Sequence, residues 1–182
     1  MSPRPHRAIL AALTLLAVIS GCAPTAMPPR PPTAETGAQT LGPADGYLAL
    51  GESVALGDDV PAMTNLAPDL RDALERAAAA AAFDRDVEFT FTSGWRSARY
   101  QQSLFDDAVA TYGSEVEARR WVLPPDQSQH VLGNAVDVAT ADAMDWLNRF
   151  GAQFGLCQTY VNELWHFELV AGVTETCPEQ GA

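Results

Sequence analysis

Two of the three histidines lie in short, well-separated segments, so a fold that uses them together must bring these segments into contact. The first segment reads QHVLGNAVDVA and places His130 seven residues before Asp137. The second reads NELWHFEL and places Glu163 three residues before His166. The remaining histidine lies near the N-terminus. Imidazole and carboxylate groups concentrated in two compact segments indicate a metal site.

The spacing of His130 and Asp137 constrains the path of the chain between them. Residues seven apart on an unbroken strand point to opposite faces of a sheet. His130 can therefore join Asp137 only if the chain bends, and Gly133 is the residue that permits a bend. A strand over residues 134–139 then places Ala135 on the same face as Asp137, where its small side chain leaves room for a metal ion.

His130, Asp137 and His166 supply the ligand set of a catalytic zinc, which takes three protein ligands and keeps one position for water. Glu163 and His166 would point to opposite faces of one strand, so we place Glu163 in the turn before the strand. Its carboxylate then reaches the attacking water without binding the metal and acts as a general base. Each residue alone has an ordinary structural explanation, but the combination predicts one zinc ion per chain and peptide-bond hydrolysis.

Four segments have the pattern of helices. Leucines and alanines predict an amphipathic helix over residues 65–83. Ser97 is a suitable N-cap for a helix that ends at Gly113, and Ser114 with Glu117 forms a possible capping box for a shorter helix through Trp121. A last helix is expected over residues 141–154.

The strand signals complete an α+β prediction. Residues 86–94 alternate apolar and polar side chains, which is typical of a half-exposed strand. Further strands are expected over residues 134–139 and 164–170, with Trp165, Phe167 and Leu169 on one face of the last. Few long parallel crossovers are available, so we expect a small, mainly antiparallel sheet flanked by helices.

The first residues are typical of an exported protein. Arg4 and Arg7 precede the apolar run AILAALTLLAVIS, which has the layout of a secretory signal and is short for a membrane span. The run ends in ISGC, which resembles a bacterial lipobox. We therefore predict a signal peptide over residues 1–21 and lipid attachment at Cys22, and an ordinary cleaved signal with an incidental cysteine is the alternative.

Beyond Cys22 the composition changes twice. Residues 22–42 are rich in Pro, Thr and Ala and predict a flexible tether, and residues 43–182 have the size of one domain, here a zinc peptidase. A net charge of -12, with 23 acidic residues against 11 arginines and no lysine, argues against nucleic acid as a partner. Cys157 and Cys177 are expected to form a disulfide because an exported chain meets oxidising conditions.

Three segments carry a resemblance to a known family. SGWRSARYQQSLF, SQHVLGNAVDVA and NELWHFEL resemble, in order, the SGYRS…Q, SxHxxGxAxD and ExWH motifs of the VanY-type zinc D-alanyl-D-alanine carboxypeptidases. The resemblance covers roughly residues 87–169 and implies the fold shared by lysostaphin-type, D-Ala-D-Ala and hedgehog-type zinc domains. Trp95 stands where the family usually has Tyr and Leu164 where Pro is common, which alters the shape of the pocket and removes no reacting group.

The resemblance implies the same three zinc ligands and the same general base. It also makes Arg96 a catalytic cation that faces the substrate, where a guanidinium either holds the terminal carboxylate of a peptide or stabilises the oxyanion on the scissile carbonyl. Ser93, Gln101 and Ser128 match polar positions of the family, so they contact substrate or support the loop. Capping of a helix or loop is the alternative for the two serines.

The implied function is removal of the terminal D-Ala from peptidoglycan stem peptides. We expect a monomeric lipoprotein, anchored to the bacterial cell membrane only through its lipid and facing the cell wall. An L,D-carboxypeptidase or a cross-link endopeptidase on peptidoglycan is an alternative within the hydrolases. A non-catalytic zinc domain that binds wall peptides is an alternative of another class, and Glu163 speaks against it because a binding module needs no base.

Overall fold

A computed structural model describes residues 40–170, 172 and 175–181 of the chain. The predicted signal peptide, Cys22 and most of the predicted tether lie outside the described residues. Within the described part, no helix combines the length and the apolar character needed to cross a membrane.

The centre of the fold is a five-stranded sheet in which every pair of neighbouring strands is antiparallel. The strands lie in the order β1-β2-β3-β5-β4. Their bounds are Val54–Ala55 for β1, Thr90–Ser93 for β2, Ala135–Val138 for β3, Leu156–Gln158 for β4 and His166–Leu169 for β5. With helices on its surface, this sheet confirms the predicted α+β class.

Six α-helices and two short 3₁₀-helices accompany the sheet in the described residues. The α-helices are α1 Pro61–Thr64, α2 Pro68–Arg85, α3 Ala98–Tyr112, α4 Glu115–Ala118, α5 Gln129–Leu132 and α6 Ala141–Phe150; the 3₁₀-helices are Pro43–Asp45 and Gly151–Phe154. Both serines cap their helices, because Ser97 Oγ accepts from the Tyr100 amide and Ser114 Oγ from the Glu117 amide, which is the serine half of the predicted capping box.

Several boundaries differ from the prediction. The last predicted helix, over residues 141–154, ends at Phe150, and a 3₁₀-helix continues to Phe154. Helix α4 ends at Ala118 instead of reaching Trp121, and the chain continues in turns in which the Trp121 and Val122 amides both donate to Ala118 O. Strand β2 begins only at Thr90, since its outer neighbour β1 has two residues and offers no partner further back. Strand β5 begins at His166, so Trp165 precedes the strand, and it lines the cleft together with His166.

The main core lies between the sheet and helix α2. Every third or fourth residue of α2 is fully buried, and most of these residues are alanines, which let the helix approach the sheet closely. They pack with Phe91 of β2 and Phe167 of β5, both fully buried. A second cluster forms around α3, with Tyr100 and Leu104 at its centre. Together the two clusters hold β2, β3 and α3 around one cleft.

The predicted disulfide is present between Cys157 of β4 and Cys177 of the C-terminal tail. It links residues 20 positions apart, a loop length for which cross-linking contributes about 3 kcal/mol to stability in chain-entropy estimates. Beyond the bridge, the Gly181 amide donates to Thr159 O at 2.8 Å and Gly181 O accepts from the Val161 amide at 3.1 Å. The tail therefore supports the turn that leads to Glu163.

Candidate metal centre

Three different elements bring the predicted ligands together. Asp137 on β3 and His166 on β5 are direct partners across the antiparallel ladder, so their side chains leave the same face of the sheet. His130 comes from α5, and the chain turns back into β3 at Gly133, whose φ of 73° is left-handed. A Cβ at Gly133 would also lie 2.7 Å from Asn65 O. The bend predicted at Gly133 is confirmed, whereas the helical turn that carries His130 was not predicted.

The three side chains converge on one buried point. His130 Nε2 lies 3.1 Å from His166 Nδ1, and each of these nitrogens lies 3.3 Å from Asp137 Oδ1. All three residues are buried. One ligand atom from each residue falls within 4.8 Å of the others, so the group has the dimensions needed to hold a metal ion.

Hydrogen bonds on the far side of each ring select the tautomer whose converging nitrogen can offer a lone pair when the ring is neutral. His130 Nδ1 lies 2.7 Å from Gly94 O, a pure acceptor, so Nδ1 carries the hydrogen and the neutral ring presents a lone pair at Nε2. His166 Nε2 lies 2.9 Å from Glu168 Oε1, which selects the opposite tautomer and leaves the lone pair at Nδ1. In these tautomers two lone pairs and a carboxylate oxygen face one another at short distances, an arrangement that can hold a cation.

The ionisation of the cluster points to the same conclusion. Burial, with the positive charge of Arg96, lowers the pKa of His130 to about 4, so this ring is neutral at pH 7. Burial alone would lower the pKa of His166, but hydrogen bonds to Asp137 and Glu168 raise it to about 9. For Asp137, burial acts in the opposite direction and would raise the pKa, but His130 and Arg96 hold this pKa well below its usual range. The site therefore attracts positive charge, as a proton or as a metal ion.

Arg96 lies at the edge of the cluster and is held by three acceptors. Its guanidinium donates to Asp137 Oδ2 at 2.6 Å, to Ser93 Oγ at 2.8 Å and to Gln101 Oε1 at 3.2 Å. The bond to Asp137 Oδ2 leaves Oδ1 for the ligand position. Two of the five guanidinium N–H groups are not used by these bonds, and Arg96 lines the cleft, so it can also face a substrate.

The polar residues around Arg96 act differently from one another. Ser93 and Gln101 bind Arg96, and the Gln101 amide group also donates to Leu123 O at 2.7 Å, which fixes its orientation. Ser128 is buried, lines the cleft and makes no side-chain cap to α5. Ser128 thus occupies the N-cap position of α5 without a side-chain cap bond, and Ser93 is an acceptor for Arg96.

Glu163 lies in the turn before β5, where the chain reverses towards His166. Its Oε2 is 3.8 Å from His166 Nδ1, which is the ring nitrogen that faces the metal position. Burial raises the pKa of Glu163 to about 7, and Asp137 adds to this effect while His166 opposes it. A carboxylate with this pKa, placed beside the ligand atoms, can exchange protons near neutral pH.

The cluster opens into a cleft at the protein surface. One rim is formed by the N-terminal segment of the domain and the other by the loop after α4. The residues that line these rims are Leu48, Leu50 and Glu52 on one side and Arg119, Arg120 and Trp121 on the other. An elongated ligand can therefore cross the metal position between two walls.

Two residues of the site were missed by the sequence reasoning. The Tyr160 ring packs against the His166 ring with centroids 5.3 Å apart, and Glu168 binds the outer nitrogen of His166. The sequence signal for Glu168 was its position two residues after His166 on a predicted strand, which places both side chains on one face. No comparable signal marked Tyr160, because its contact depends on the turn that follows β4.

Comparison with known proteins agrees with this geometry. A model of the VanY family, described as D-alanyl-D-alanine carboxypeptidase, matches residues 63–171, a range that includes Arg96, the three candidate ligands and Glu163. The chain belongs to the VanY family. A D-alanyl-D-alanine carboxypeptidase of Enterococcus faecalis is 32% identical over 104 residues, which cover 43% of this chain. The chain spans only 38% of the length of that curated relative.

Two solved structures of VanY proteins share the fold. A mutant of the vancomycin resistance D,D-pentapeptidase VanY from a VanB-type cassette, in complex with Zn(II), superposes with a TM-score of 0.52 and 27% identity over 58% of this chain and 73% of that chain. VanYB in complex with D-alanine-D-alanine gives the same TM-score and identity over 58% of this chain and 72% of that chain. These relatives confirm the family and the fold expected from the sequence.

Proposed function

We propose that this VanY-family protein is a zinc-dependent D,D-carboxypeptidase that removes the terminal D-alanine from peptidoglycan stem peptides. The observation that carries the proposal is the convergence of His130, Asp137 and His166 with Glu163 beside them in one cleft. The solved relatives bind Zn(II) in one structure and D-alanine-D-alanine in the other, which supports both the metal and the substrate class.

His130 Nε2, Asp137 Oδ1 and His166 Nδ1 would hold one zinc ion per chain. Zinc in such a site polarises a peptide carbonyl and makes a water acidic enough to attack it near neutral pH. Glu163 takes the proton from the attacking water, since its carboxylate faces the ligand atoms, and delivers it to the departing amine of D-alanine. Its raised pKa suits both steps.

Arg96 supplies the positive charge on the substrate side. Its three hydrogen bonds fix the guanidinium before substrate arrives, so little side-chain entropy is lost when an anionic oxygen binds. That oxygen belongs either to the terminal carboxylate of the peptide or to the scissile carbonyl as it becomes negative. Ser128 lines the same cleft and offers a hydroxyl to the peptide.

Product analysis on defined peptides tests the proposal. The zinc-loaded protein should release free D-alanine from a stem pentapeptide, as measured by mass spectrometry of both products. Loss of the fourth residue from a tetrapeptide would identify an L,D-carboxypeptidase, and cleavage of a cross-linked dimer into monomers would identify an endopeptidase. If the protein binds these peptides but cleaves none of them, the enzyme proposal is contradicted and a wall-peptide-binding module is supported instead.

We also propose that the protein is exported and anchored by a lipid on Cys22. The support is the sequence ISGC after a charged and apolar leader, and the wall substrate lies within reach of such an anchor. Replacing Cys22→Ser should release the protein from the membrane fraction, because the thioether that carries the lipid cannot form. Membrane retention of this variant, measured by fractionation and immunoblot against wild type, would contradict lipid anchoring.

A further inference from the structure

A second glutamate lies against the metal cluster, on the opposite side of His166 from Glu163. Glu168 Oε1 is 2.9 Å from His166 Nε2, and its side chain is 13% exposed. The two residues are neighbours on the same face of β5, because side chains two apart on a strand point the same way. The bond is therefore built into the strand and does not depend on a loop.

The position of Glu168 makes it unsuitable as a base and suitable as a support. Nε2 is the ring atom that points away from Asp137, whereas Nδ1 faces both Asp137 Oδ1 and His130 Nε2. The imidazole ring thus separates Glu168 from the point where the ligand atoms converge. Glu163, on the Nδ1 side, is the carboxylate that can reach the reacting water.

The two histidines are supported unequally. His130 donates its outer N–H to the backbone carbonyl of Gly94, a neutral acceptor. His166 donates its outer N–H to a carboxylate, which fixes the opposite tautomer and also increases the electron density at Nδ1. His166 is therefore the ligand whose strength depends on a charged partner.

We infer that Glu168 is a positioning residue that tunes zinc affinity through His166, holding the ring with Nδ1 toward the metal and increasing its basicity. The inference rests on the proposed zinc site. It concerns a residue that does not itself bind the metal. Outer hydrogen-bond partners of metal ligands typically change metal affinity by about 10- to 100-fold when they are removed. Glu168 should fall within this range.

Two variants separate the charge of Glu168 from its hydrogen bond. Glu168→Gln keeps an acceptor oxygen of nearly the same shape and loses the charge, so zinc affinity should fall by about 10-fold. Glu168→Ala loses both and should weaken zinc by about 100-fold. Glu88→Gln is the matched control, because Glu88 is an exposed glutamate before β2 and its replacement changes the net charge equally.

Zinc affinity is measured on metal-free protein by competition with a chromogenic chelator, without substrate. The visible spectrum of the cobalt-substituted protein gives a second readout, which should change in both Glu168 variants and stay constant in Glu88→Gln. Equal zinc affinity of Glu168→Ala, Glu168→Gln and the control would overturn the inference. If Glu168→Ala fails to fold, the near-isosteric Glu168→Gln decides alone, and absence of tight zinc in wild type would instead overturn the proposed function on which the inference rests.

Discussion

Replacing Glu163→Gln should lower the rate of D-alanine release by about 100- to 10,000-fold, the usual contribution of a general acid–base group, while zinc remains bound. Glutamine has almost the same shape as glutamate, but its amide takes no proton from water at neutral pH. The ligand atoms of His130, Asp137 and His166 are untouched by the change. The loss should therefore fall on turnover and leave peptide binding largely intact.

The measurement is the initial rate of D-alanine release from a stem pentapeptide at equal zinc content, with peptide affinity followed in parallel. Glu88→Gln serves as the control for the loss of one negative charge, since Glu88 is exposed and precedes β2. A rate for Glu163→Gln within about 10-fold of wild type would remove Glu163 from the role of base, because general bases contribute more than this. A change in zinc content would instead indicate that the carboxylate is a ligand.

The pKa of Glu163 should depend on whether zinc is bound. Because burial raises its pKa to about 7, the carboxylate is partly protonated at neutral pH before a metal binds. Zinc adjacent to Glu163 favours the charged form, so the pKa should fall when the metal is present. The ionised fraction of the base should therefore be larger with zinc bound than in the metal-free protein at neutral pH.

The candidate site and the fold class were predicted from different features of the sequence. His130, Asp137 and His166 were selected because metal chemistry restricts which side chains can share a point, and such restrictions appear in the residue types themselves. Their convergence needed only one bend, and Gly133 marked its place. The sequence did not reveal that His130 stands on a turn of helix, because a four-residue helix has too few residues for a periodic pattern.

The elements that were missed are the shortest ones. Strands β1 and β4 have two and three residues and exist only because β2 and β5 offer hydrogen-bonding edges to them. Their formation depends on tertiary pairing, which propensity does not contain. Dependence on tertiary contacts also explains why the sequence predicted a substrate-facing Arg96 but did not predict its hydrogen bond to the metal ligand Asp137. Its bond to Asp137 crosses 41 residues of sequence.

Replacing His166→Ala should remove tight zinc binding, and the clearest evidence for this is thermal stability measured without substrate. A ligand that binds only the folded protein stabilises it by about 2.7 kcal/mol when its free concentration is 100 times Kd. Zinc should therefore raise the melting temperature of the metal-free wild type. The variant has lost one of three ligands, so the same zinc concentration should produce little or no increase.

The control variant for this experiment is Glu163→Gln, which is expected to respond to zinc as wild type does because Glu163 is not a ligand. His166→Ala should still fold, since Asp137 keeps its ion pair with Arg96 at 2.6 Å and is not left as an isolated buried charge. A metal-free melting curve that remains cooperative would verify this. If zinc stabilises His166→Ala as strongly as it stabilises Glu163→Gln, the metal lies elsewhere. Stabilisation of Glu163→Gln alone would place the ion between β3, β5 and α5, where the lone pairs of the two imidazoles meet.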